Sequence, residues 1–173
     1  MTMDRRFFIG GTLALGVSAC IPPDQSPLGR LAAELRIIEA AGDGTLGVEL
    51  FNTATGMAVG LNSNRRFGHA SSFKFSLAAL VLQRHAAGMI DADRRVMWSE
   101  ADMLAHAPFT RERIATGATL RELARAAQTT SDNPAANILL RELGGPAALT
   151  AFWRSIGDDI SRIDRTEPSM NIV

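Results

Sequence analysis

The chain has 173 residues, of which 46% are hydrophobic and 21% charged, ordinary usage for one globular domain with or without a tail, and outside the disordered and collagen-like classes. Eighteen basic and eighteen acidic residues cancel, so no electrostatic footprint points to nucleic acid, and the single Cys20 excludes an intrachain disulfide and a cysteine-cluster metal site. Seventeen of the eighteen basic residues are Arg, and the one lysine is Lys74. Arg stays charged at any accessible pH, whereas a buried Lys can lose its proton and act as a base. Composition alone leaves that reading level with codon bias.

Residues 1–19 read as an address rather than as fold. Arg5-Arg6 precedes Phe7-Phe8-Ile9 and an apolar, glycine-containing run to Ala19. That run is too short to span a bilayer of ~30 Å. A charged start, a short apolar stretch and small residues before the end make an export signal, and the paired arginines look like the twin-arginine type. Val17-Ser18-Ala19-Cys20 resembles a bacterial lipobox, in which the cysteine becomes the new N-terminus and carries the lipid. The alternative is a plain signal peptide with Cys20 discarded. The expectation is an exported, periplasmic protein, anchored to a membrane if Cys20 is lipidated.

Residues 20–25 read as a tether. Ser26-Pro27 starts a helix, with Leu28, Leu31, Ala32, Leu35 and Ile38 at helical spacing and Gly42 as its stop. Residues 46–51 and 57–61 flank Asn52-Thr53-Ala54-Thr55-Gly56 as a hairpin. From Ser71 the pattern is helical. Phe73, Phe75 and residues 77–82 are apolar nearly all round, which predicts a helix buried on every side. Thr119-Leu120-Arg121-Glu122 is a capping box, with Leu120, Leu123, Ala124 and Ala127 on one face of its helix. Pro134 opens another helix, closed by Gly144-Gly145. Pro146 opens a third, with Leu149, Phe152, Trp153 and Ile156, closed by Gly157. Residues 161–173 read as loop. No strand is expected after residue 61, and a lone hairpin is marginal in water, so the sequence is expected to be incomplete. The domain reading is an N-terminal α/β piece over 26–62 and a helical block over 63–173.

Three segments carry chemistry. Ser71-Ser72-Phe73-Lys74 puts a hydroxyl and an amine one helical turn apart. A desolvated amine near a helix N-terminus can take the serine proton, and the Ser71 N–H can stabilise an oxyanion. Ser131-Asp132-Asn133 offers a hydroxyl for proton relay and an amide for a substrate carbonyl, but alone it reads as a turn with an N-cap. In the final loop Glu167 can serve as a general base, Asn171 can hold a water, and Arg165 can pin the loop to a carboxylate. Alone that loop reads as solvated surface.

Together, in this order, the three segments resemble the class A serine β-lactamases. Gly144-Gly145-Pro146 and Ile163-Asp164-Arg165-Thr166-Glu167-Pro168 fit the same pattern, the latter as the start of the family's omega loop. The resemblance runs from about Ser26 to the end. It implies a helical domain packed on an α/β sandwich domain that is truncated here. It implies that Ser71 is the acylated nucleophile, Lys74 a candidate base, and Ser131 the proton relay to the leaving nitrogen. Asn133 would bind the substrate's acylamide group, and Glu167 and Asn171 would hold and activate the hydrolytic water. His106 stands where an aromatic often flanks the pocket. The substrate implied is a β-lactam, with no metal or organic cofactor, and a monomer is expected. The family's Lys-Thr-Gly strand is missing, since Lys74 is the one lysine. Ala70 precedes the nucleophile, so the disulfide of some carbapenem-hydrolysing members cannot form. Residues 20–173 alone are therefore not expected to be active. The alternatives are a penicillin-binding transpeptidase or carboxypeptidase, against which Glu167 argues, and a non-catalytic remnant.

Overall fold

A computed structural model describes residues 26–169 and divides the chain after Ser63 into two units. The expectations for Cys20, the export signal and Asn171 lie outside the described residues.

In the first unit, Ser26 caps helix α1 (Pro27–Ala41). Its hydroxyl accepts the Gly29 N–H at 3.0 Å, and Pro27 occupies the first turn, where a missing N–H costs nothing. Strands β1 (Val48–Phe51) and β2 (Ala58–Leu61) pair antiparallel, Val48 opposite Leu61 and Phe51 opposite Ala58, so the expected hairpin forms. Asn52 closes its turn, its side chain accepting from Ala54 N and Thr55 N. Glu39 of α1 ties helix to hairpin by accepting from Leu46 N at 3.1 Å and Asn62 Nδ2 at 2.7 Å. Leu35 is buried, but Ile38, expected on the packed face, is exposed, as are Leu50 and Phe51. Two strands and one helix offer too little surface to cover them.

In the second unit a 3-10 turn, Ala70–Ser72, leads into helix α2 (Phe73–Ala86). Phe73, Leu77, Ala78, Leu80 and Val81 are buried against α3 (Leu120–Thr130), α4 (Asn133–Leu143) and α5 (Pro146–Ser155). The expectation of a helix buried on every side is corrected. Phe75 and Leu82, seven residues apart and hence on one face, are 66% and 47% exposed. A helix meets its neighbours in this unit along one side, and an apolar composition does not say which side.

The capping box forms as expected, Thr119 Oγ1 accepting from Glu122 N at 3.1 Å and Glu122 Oε2 from Thr119 N at 2.8 Å. Leu120, Leu123, Ala124 and Ala127 are buried. α4 ends at Gly144, left-handed at φ 96°, which a glycine adopts without strain. On α5, Leu149 and Trp153 are buried, but Ile156 lies past the last turn and is exposed.

Residues 87–118 hold what periodicity did not signal. β3 (Arg95–Val96) pairs antiparallel with β4 (Ala118–Thr119), which corrects the expectation of no strand after residue 61. Two-residue strands are too short to alternate visibly. Gly117, at φ 63°, lets the strands meet, since a Cβ there would stand 2.3 Å from the Val96 carbonyl oxygen. Trp98 is buried, and its Nε1–H donates to the Thr110 carbonyl at 3.1 Å.

Candidate active site

Lys74 is the centre around which the second unit arranges its polar side chains. It sits on the first turn of α2, 1% exposed among Phe73, Leu77 and Ala78. Its Nζ lies 3.1 Å from Ser71 Oγ, 3.2 Å from Ser131 Oγ, 2.5 Å from Asn133 Oδ1 and 2.9 Å from Glu167 Oε1. The Ser131 carbonyl accepts from it as well, at 3.0 Å. A buried cation is tolerated only when paired and hydrogen-bonded, and these oxygens supply both. Ser71 itself is exposed, whereas Ser131 is only partly so.

Each contributor is placed by its own element. Ser71 lies in the 3-10 turn before α2, next to Ala70 at φ 45°. Ser131 closes α3 in the left-handed region at φ 56°, which turns the chain sharply into α4. Asn133 is the first residue of α4. Glu167 follows α5 on the last loop, beside a cis Glu167–Pro168 bond. A cavity of about 150 Å³ opens between Ala70, Ser71, Glu167, Pro168 and Ser169.

Two further residues shape the site: Asp132, read from the sequence only as part of a turn with an N-cap, and Asn137, which escaped that reading. Asp132 is fully buried. Its carboxylate accepts from Phe109 N, Thr110 N and Ala135 N at 2.8–2.9 Å and from the Thr110 hydroxyl. It therefore caps α4 and anchors residues 109–110 at once, and so sets the turn that carries Ser131 and Asn133. Asn137 of α4 grips the Glu167 backbone from both sides, its Nδ2 donating to Glu167 O at 3.0 Å and its Oδ1 accepting from Glu167 N at 2.9 Å. The only signal for Asn137 was an amide within the otherwise apolar run of residues 134–140. Asp132 had the better clue, since an acidic residue shortly before Pro134 fits an N-cap followed by a proline in the first turn.

His106 is exposed, with Nε2 2.8 Å from the Thr130 carbonyl and its own carbonyl accepting from Asn133 N at 3.0 Å. It borders the Ser131 turn but does not join the lysine cluster. Arg165 is exposed two residues before Glu167.

Residues 30–172 match the β-lactamase enzyme family. The chain belongs to the class A β-lactamases. It is 44% identical over 158 residues to β-lactamase L2 of Stenotrophomonas maltophilia, covering 91% of this chain and 52% of that protein. It is 45% identical over 130 residues to the carbapenem-hydrolyzing β-lactamase KPC of Klebsiella oxytoca, covering 74% and 44% respectively. Among solved structures, an ancestral class A β-lactamase superposes with a TM-score of 0.78 at 46% identity, over 80% of this chain and 53% of that one. A putative class A enzyme from Rhodopseudomonas palustris gives 0.79 at 43% identity, over 81% and 54%. The chain thus spans about half the length of the class A relatives it matches.

Proposed function

We propose that the protein is an exported serine β-lactamase that acts through a covalent acyl-enzyme on Ser71. The observation that carries the reading is the convergence of Ser71, Ser131, Asn133 and Glu167 on the buried Lys74 Nζ. A serine needs a base within hydrogen-bond reach to become a nucleophile, and Lys74 is 3.1 Å away. To act as that base Lys74 must first be neutral, and Glu167 Oε1 at 2.9 Å is an acceptor for its proton. Glu167 acting through a water is the other route, and either base serves the same chemistry.

Ser71 Oγ bonds to the lactam carbonyl carbon as its proton leaves for the base. The ring C–N bond then breaks, and the nitrogen takes a proton through the Ser131 hydroxyl, 3.2 Å from Lys74 Nζ. Asn133 orients the substrate's acylamide. Water in the cavity beside Ser71 and Glu167 loses a proton to Glu167 and attacks the ester carbonyl. Ser71 leaves with a proton, and the open-ring acid is released. None of these steps calls for a metal or organic cofactor. Asn171 is assigned to the same water, His106 to the pocket rim and Arg165 to fixing the loop.

The deciding experiment is Glu167→Ala in the intact protein, incubated with a penicillin and followed by mass spectrometry. We expect a long-lived adduct on Ser71, because acylation survives and hydrolysis stalls. Turnover at the wild-type rate overturns the assignment of Glu167. For delivery, we propose twin-arginine export with lipidation at Cys20. Lysine at positions 5 and 6 should block export, and Cys20→Ala should release the protein from membranes. Normal periplasmic delivery of the double lysine variant overturns the route.

A further inference from the structure

His69 takes no part in the acyl transfer described above, yet it holds the segment that carries Ser71. Its ring stacks on the indole of Trp153 in α5, centroids 4.9 Å apart and planes 12° from parallel. Its carbonyl accepts from Ser72 N at 3.0 Å and from Ser72 Oγ at 2.7 Å. Between His69 and Ser71 stands Ala70 at φ 45°, a conformation unfavourable for a residue with a Cβ. Such a backbone persists only where its surroundings over-determine it. Here the stacked His69 holds one side of Ala70, and the bond between Ser71 and Lys74 holds the other.

The two ring nitrogens of His69 are not equivalent. The single hydroxyl proton of Ser72 goes to the His69 carbonyl, so Ser72 Oγ, 3.4 Å from Nδ1, is placed there as an acceptor. That arrangement puts the proton on Nδ1 and leaves Nε2 as a lone pair. Nε2 is buried and has no hydrogen-bond partner among the described residues. A lone pair without a partner is tolerable, but a second N–H there would have no acceptor among the described residues. Burial accordingly holds the imidazole below its usual range, with Asp158 opposing. Asp158, after α5, is the charged group that faces the ring. The Ser161 hydrogen bond leads the effects that hold its own carboxyl below the ordinary carboxylate range, so it stays ionised wherever a histidine titrates. Arg154 of α5 donates to the Asp158 carbonyl. The α2 side offers the neutral Ser72.

We propose that neutral His69 is a positioning residue for Ser71, and that protonating it breaks the stack on Trp153 and lets the Ala70–Ser72 turn carry Ser71 Oγ away from Lys74. The kinetic half of this inference rests on the acyl-transfer reading, while the structural half does not. The test uses the intact protein, with histidine-ring NMR and the amide signals of Ala70 and Ser71 followed against pH. In parallel, the rate of Ser71 labelling by a fluorescent penicillin is measured with Glu167→Ala as the common background, in which the adduct persists. With His69 in place all three should share one midpoint, with labelling falling about tenfold per pH unit below it. His69→Phe preserves a ring for the stack and removes the proton. It should label within a few-fold of the His69 protein at neutral pH and lose the acid limb in both labelling and amide shifts. His69→Ala should label slowly at every pH.

A wild-type acid limb surviving in His69→Phe overturns the proposal, as does a His69 titration that leaves the Ala70 and Ser71 signals unmoved. If His69→Ala fails to fold, the phenylalanine comparison still decides. If no penicillin labels Ser71 at any pH, the β-lactamase reading fails, and the amide titration alone decides the role of His69.

Discussion

At the scale of single residues, the lysine cluster shows how burial selects chemistry. Lys74 is tolerated 1% exposed because five oxygens surround its Nζ. Asp132 is the less conspicuous counterpart, a carboxylate held by three backbone N–H groups and a hydroxyl, with no cation bonded to it among the described residues. Hydrogen bonds to a charged group are each worth about 1.5–3 kcal/mol. Asp132→Ala should therefore lower stability by at least about 3 kcal/mol, read by denaturant unfolding, and a loss under about 1 kcal/mol would refute the anchor. His69 has its own pH signature. Because burial lowers its folded pKa, its contribution is complete above the unfolded value of about 6.5 and is lost as pH falls from there through the folded value. The stability of His69→Phe should lack that loss when both proteins are unfolded across this range.

At the scale of elements, the candidate site residues gather at the ends of helices rather than in their middles. Ser71 precedes α2, Ser131 closes α3, Asn133 opens α4, and Glu167 lies on the loop beyond α5. Asn137 fastens that loop to α4 through the Glu167 backbone. Asn137→Ala should leave the first labelling of Ser71 intact and lengthen the life of the adduct, as a time course by mass spectrometry would reveal; an unchanged lifetime would show the loop to be held otherwise. The capping box makes a purely structural prediction. The Thr119 backbone hydrogen bond leads the effects that hold Glu122 below the ordinary carboxylate range. Its contribution is present above about pH 4.3 and is lost as pH falls through the lower folded value. The stability gap between wild type and Glu122→Ala, about 1 kcal/mol or less for an exposed cap, should close in acid.

At the scale of the molecule, the two units differ in what supports them. Residues 64–169 build a core of buried side chains from α2 to Ile163. Residues 26–63 bury Leu35 alone among their large hydrophobics and leave Ile37, Ile38, Leu50, Phe51 and Met57 exposed. Below about 40 residues a chain without disulfide or metal rarely folds by itself. Expressed separately, residues 26–63 should give no cooperative thermal transition, whereas residues 64–169 should retain helical circular dichroism. A sharp transition in the shorter piece would mean that its exposed apolar side chains find partners within it.

The elements that sequence alone determined are those with local causes. Ser26-Pro27, Thr119 with Glu122, Pro134, and Gly144 before Pro146 each mark a helix end through a bond or a dihedral made within a few residues. The hairpin was legible for the same reason, in its turn residues and alternation. Ser71 and Lys74 were legible as a pair because one helical turn separates them. The long-range facts needed the tertiary structure. Fifty-nine positions separate Lys74 from Asn133, which it bonds, and 30 separate Asn137 from Glu167. Only packing decided that α2 hides Lys74 yet shows Phe75 and Leu82, since its composition is apolar on both sides. The His69–Trp153 stack likewise joins residues with no shared periodicity. Pattern records the bonds a chain makes with itself nearby, and distance along the chain erases the rest.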